Sequence, residues 1–138
     1  MALSKQKEQE YIEKVKAKPF YLKRITKNQT EAICLEAVKK NGMALEYVNE
    51  QTPEICLESV KQNGEALRYV NEQTPEICLE AVRQTGYTLR RVKEQTEEIC
   101  LEAVRQNWWV IRHVKEQTPE IYMTAYEQNP EVEKYFNL

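Results

Sequence analysis

Glycine occurs only 3 times in 138 residues, proline 5 times, and serine only at Ser4 and Ser59. An all-β domain turns every few residues and uses more Gly, Asn-Gly and Ser than this, so the composition points to helices. Long hydrophobic runs are missing too. The longest hold four residues, as in Trp108-Trp109-Val110-Ile111, against the roughly 20 that a membrane-spanning helix needs. No export-type leader is legible, and the expected compartment is the cytoplasm. Neither sign of charge dominates: 20 Lys and Arg against 22 Asp and Glu give a formal net charge of −2. That removes the global argument for a nucleic-acid binder and leaves room for a local basic strip.

The signatures of catalysis are also lacking. There is no phosphate-cradling glycine loop, no Gly-x-Ser-x-Gly and no His-Glu-x-x-His. The single histidine, His113, has no repeated carboxylate or nucleophile motif beside it. Cysteine is present four times but never as Cys-x-x-Cys, so neither a metal site nor any other cofactor is expected. The chain therefore reads as non-enzymatic.

What is present is repetition. Gln-Thr-Pro-Glu-Ile-Cys-Leu-Glu recurs, and Cys34, Cys56, Cys78 and Cys100 stand 22 residues apart. With 41% apolar and 30% charged residues, the units have enough apolar mass to order by burial. Four units span 30–51, 52–73, 74–95 and 96–117, flanked by an N-terminal cap at 1–29 and a decaying, capping repeat at 118–138. Each unit reads as two short helices. Thr52 N-caps the first, Pro53 suits its first position and Glu54 complements its dipole. Ile55, Cys56, Ser59 and Val60 form its apolar stripe, widened by Leu57, while Glu54, Glu58, Lys61 and Gln62 share the other side. Gly64 is placed where a left-handed residue ends a helix. A second helix, short and in part 3₁₀, is expected over Glu65–Asn71. Units this small are stable only when stacked, which predicts an all-α solenoid of 22-residue two-helix repeats, with divergent caps and a monomeric state. Cysteines repeated at a core position are expected to be small buried hydrophobes.

Comparing the units with one another separates frame from variation. Leu45, Leu67, Leu89 and Ile111 hold one core position, and Val48, Val70, Val92 and Val114 another. Glu36, Glu58, Glu80 and Glu102 recur with a cation three residues on, a uniform solvated face. The second helix varies instead: Met43, Glu65, Tyr87, Trp109 at one position, Glu46, Arg68, Arg90, Arg112 three residues on, and Tyr47, Tyr69, Arg91, His113 next. A constant frame with a varied, aromatic and basic face is how a repeat protein reads a ligand. The candidate ligand-binding residues are Tyr47, Arg68, Tyr69, Tyr87, Arg90, Arg91, Trp109, Arg112 and His113. Trp108 breaks the glycine series of Gly42, Gly64 and Gly86. Either Asn107 takes the left-handed turn there, or the unit bends differently. Trp108 and Trp109 either anchor a partner or pack on the C-terminal cap with Tyr122 and Tyr126.

The run Glu-Gln-Thr-Pro-Glu-Ile-Cys-Leu-Glu-Ala-Val-x-Gln-Asn-Gly, followed by Ala-Leu-Arg-Tyr-Val, resembles the bacterial and phage repeat family called domain of unknown function 4116, over about residues 28–129. The resemblance implies a helical repeat module without catalytic residues. It also implies interference with a host system, such as a CRISPR-type defence, as a role. Ligand residues are not transferable from it, because the second-helix positions vary. The mixed aromatic, Arg and Glu ribbon is expected to bind an extended peptide or protein segment with acidic character. Single-stranded RNA is the alternative, its bases stacking on Tyr69, Tyr87 and Trp109.

Overall fold

A computed structural model describes residues 2–134. It contains six consecutive pairs, each an α-helix followed by a 3₁₀ helix. The α-helices are α1 Lys5–Ala17, α2 Glu31–Lys40, α3 Pro53–Gln62, α4 Pro75–Gln84, α5 Glu97–Gln106 and α6 Pro119–Gln128. The 3₁₀ helices are η1 Pro19–Arg24, η2 Gly42–Tyr47, η3 Gly64–Tyr69, η4 Gly86–Arg91, η5 Trp108–His113 and η6 Pro130–Lys134. No strand occurs among the described residues. Helix α packs on helix α and 3₁₀ on 3₁₀ in successive units, giving two layers around one continuous core. The fold is an α-solenoid.

The local signals act as their chemistry requires. Thr30, Thr52, Thr74, Thr96 and Thr118 each accept the backbone N–H three residues on at 3.2–3.3 Å, which satisfies a donor the first turn leaves unpaired. Ile55, Cys56, Ser59 and Val60 are buried, as is every member of the Leu/Ile and Val columns. Of the four expected pairs, Glu58–Lys61, Glu80–Arg83 and Glu102–Arg105 form at 3.8–3.9 Å, while Glu36 and Lys39 in α2 do not pair.

The second helix differs from expectation. It runs Gly64–Tyr69 rather than Glu65–Asn71 and is 3₁₀ throughout. Six residues is long for this conformation, whose hydrogen bonds are poorly aligned. It persists because Gly64, Ala66 and Leu67 are buried against the next unit's helix.

The glycines are not left-handed. No described glycine has a positive φ, and the cap residue Asn63 is extended at φ −153°. Asn107, at φ −158°, does not take the left-handed turn either. Glycine is required by contact. A Cβ on Gly64 would lie 2.6 Å from the carbonyl oxygen of Ala81 in the following helix, and one on Gly86 would lie 3.0 Å from that of Ala103. At Gly42 the carbonyl of Ser59 stands closer still. The clearance thus widens toward the C-terminus, and in the next unit Trp108 occupies the position with a side chain.

Two sets of glutamines join the units. Gln51 Nε2 donates to Tyr69 O at 2.7 Å, while its Oε1 accepts Asn71 N–H at 3.0 Å and the Cys56 thiol at 3.4 Å. Gln29, Gln73 and Gln95 repeat this clasp on Tyr47, Arg91 and His113. The cysteines are therefore more than small hydrophobes: each is about 3% exposed or less and donates to a clasping amide. The second set works from the helix C-termini. Gln106 accepts Gly86 N–H and donates to the carbonyls of Val82 and Arg83, and Gln128 does the same for Trp108, Val104 and Arg105. Each covers carbonyls that the end of the preceding α-helix leaves open.

Candidate functional site

Three residues per turn make positions i and i+3 eclipse in a 3₁₀ helix. The variable positions therefore stand in two tracks. One carries Phe20 with Lys23, Met43 with Glu46, Glu65 with Arg68, Tyr87 with Arg90, and Trp109 with Arg112. The other carries Arg24, Tyr47, Tyr69, Arg91 and His113. Eclipsing sets Arg90 over the Tyr87 ring at 5.0 Å and Arg112 over the Trp109 ring at 5.6 Å. Arg68 lies over the neighbouring Tyr69 ring at 5.1 Å. A guanidinium stacked on an aromatic face can still donate from the N–H groups along its edge.

The tracks are knit diagonally, the first track of one unit touching the second track of the next. Phe20 meets Tyr47 edge-on at 6.0 Å, and Tyr87 meets His113 edge-on at 5.0 Å. From η3 to η4 the diagonal is ionic: Glu65 Oε2 accepts Arg91 Nε at 3.0 Å and Arg90 Nη2 at 3.1 Å. Arg112 Nη2 donates to the Tyr87 hydroxyl at 3.5 Å. Burial first, then the positive charge of Arg112 and Arg90, holds the His113 imidazole below its usual range, so it is neutral at pH 7.

All nine candidate residues lie on this ribbon, and the structure brings Tyr87, Arg90, Arg91, Arg112 and His113 into one cluster. Tyr47 and Tyr69 do not stand clear of the core as the repeat comparison implied; both are half-buried and pack against it. Three contributors escaped the sequence reading: Phe20, Lys23 and Arg24, all in η1. Phe20, 48% exposed, and Lys23, over the Tyr47 ring at 5.8 Å, extend the ribbon into the N-terminal pair. Glu65 was visible as a variable position, but its partners lie a full unit away. Of the tryptophans, Trp108 packs against the core while Trp109 stays on the ribbon, the two rings meeting edge-on at 5.1 Å.

The clasps fix this surface. The carbonyls that Gln29, Gln51, Gln73 and Gln95 hold belong to Tyr47, Tyr69, Arg91 and His113, which are the second track itself. Among the described residues no group of three or more His, Cys, Asp or Glu is arranged to hold a metal ion. No described helix is long and apolar enough to cross a membrane.

Stacked units with a constant frame and one varied face define a helical-repeat protein. Three overlapping matches to a single family model, at residues 30–74, 52–95 and 74–118, run across the repeats. The chain belongs to that family, described as Domain of unknown function (DUF4116). No curated protein and no solved structure matches it.

Proposed function

We propose that the chain is a non-catalytic binding module that reads an extended, acidic protein segment along the two-track ribbon. One observation carries the reading: the largest changes of side-chain chemistry among units, between acidic, aromatic and basic, fall on a contiguous surface. There, along η1 to η5, Lys23, Arg24, Arg68, Arg90, Arg91 and Arg112 stand against Glu46 and Glu65, in a chain whose net charge is −2. Potential of one sign on an otherwise acidic molecule steers and orients a complementary partner. Aromatic rings and arginines are the residues that dominate interface energetics. The diagonal contacts and the glutamine clasps hold them in place before binding, which lowers the ordering cost. The four free thiols fit a reducing compartment. A counter-defence role would follow if the segment bound belongs to a host defence protein.

Selection from a random peptide display library tests the reading. Wild-type protein should enrich extended sequences rich in Asp and Glu. Arg68→Ala, Arg112→Ala and Trp109→Ala should each weaken a selected peptide, at least one of them by about 2 kcal/mol or more, with unchanged thermal stability. Glu36→Gln, on the uniform face, should leave binding unchanged. Tight binding of single-stranded RNA, with a steep salt dependence that drops by about one unit of slope per arginine removed, would replace the peptide reading.

A further inference from the structure

The ribbon's diagonal slots are filled by aromatic pairs at Phe20–Tyr47 and Tyr87–His113. Between η3 and η4 the slot holds a carboxylate instead. Glu65 Oε2 takes hydrogen bonds from two guanidiniums, Arg90 and Arg91, on the following unit. The three side chains are 27–35% exposed, so water and solutes reach the pair. One carboxylate against two arginines leaves the slot with excess positive charge. Arg112, on the Tyr87 hydroxyl, adds to it from the next unit. Arg90 is positioned from behind by the Tyr87 ring, and Arg91 by the clasp of Gln73 on its carbonyl.

We infer that the Arg90–Arg91 pair is a carboxylate subsite of the ribbon and that Glu65 is its built-in competitor, displaced when an acidic side chain of the ligand enters. The inference rests on the acidic-segment reading above. An aromatic diagonal offers a ligand nothing to exchange. An ion pair exchanges one carboxylate for another at little net cost, because the guanidinium donors stay satisfied throughout. Glu65 thereby raises the threshold for binding: a ligand with a single weak carboxylate gains nothing over the occupant, while one presenting several acidic groups also engages Arg68 and Arg112. The subsite selects by density of negative charge.

Fluorescence anisotropy with a labelled deca-glutamate peptide at low salt tests this in the full chain. Glu65→Gln should tighten binding roughly threefold to fivefold, the factor that an ion pair about one-third exposed represents. Glu58→Gln makes the same charge change on the outer α face and should leave affinity within twofold. Adding Arg91→Ala to Glu65→Gln should abolish the gain. If Glu65→Gln binds no more tightly than wild type while Arg68→Ala and Arg112→Ala still weaken binding, the competitor role is overturned and the ribbon reading stands. If none of the arginine variants weakens deca-glutamate binding, the ribbon reading itself is overturned. The same holds if a deca-uridine probe binds in place of the peptide.

Discussion

At the scale of single residues, the glutamine and cysteine of each clasp act as one group. Gln73 satisfies Arg91 O, Lys93 N–H and the Cys78 thiol at once. Gln73→Leu would strand all three, and an unfolding titration should show a loss of about 3 kcal/mol, since each stranded buried group costs roughly 1–3 kcal/mol and water reaches part of the site. Cys78→Ala removes a smaller volume and one weak donor, so about 1 kcal/mol is expected. The thiols also set an alkaline limit. Burial, reinforced by neighbouring glutamates, pushes Cys34, Cys78 and Cys100 from 9.0 up to about 11. Above pH 9 the unfolded chain loses these protons while the folded chain keeps them, so stability falls as pH rises from 9 through about 11. Melting temperatures measured from pH 8 to 11 should decline less steeply in Cys78→Val than in wild type; parallel curves would contradict this. The burial of the cysteines was legible in their 22-residue spacing. Their hydrogen bonds were not, because the clasping amide belongs to the loop before the helix and its other partners to the next unit.

The 3₁₀ helix is the element on which the site depends, and it is where sequence reading was least complete. The Leu/Ile and Val columns were legible because they stay aliphatic at the period of the repeat. The tighter helix was legible only in part: a 3₁₀ stretch was expected, but not that it would run from Gly64 to Tyr69 without an α turn, since this segment satisfies either helical pattern equally well. The glycines show the same blindness: a residue that must lack a Cβ because a carbonyl abuts it looks identical in sequence to one that must adopt positive φ. The two causes predict different mutants. Gly64→Ala should cost about 1–3 kcal/mol through overpacking against the Ala81 carbonyl. Gly86→Ala, with more clearance from Ala103, should cost less. Equal losses in parallel chemical melts would argue against contact as the cause. Phe20 escaped notice for a related reason: an extra residue between the N-terminal pair and the repeats shifts it out of the 22-residue series.

The whole molecule is a row rather than a ball. An accessible surface of 8403 Å² exceeds the roughly 7,500 Å² expected of a compact chain of 16.4 kDa. Its principal contacts lie within a unit or between adjacent units. Stability should therefore be close to a sum over units and joints. Excising residues 74–95 should leave a folded, helical protein with a lower melting temperature; loss of the cooperative transition would refute that additivity. The excision has a further meaning at the level of the gene. Every clasp spans a fixed distance along the chain, 18 and 20 residues for the amide of Gln51. Unequal recombination that gains or loses one whole repeat therefore regenerates each joint at the seam, whereas an insertion of another length severs one. Such a gene can lengthen or shorten its reading surface by single copying errors, each adding or removing one two-track step that later mutation is free to diversify.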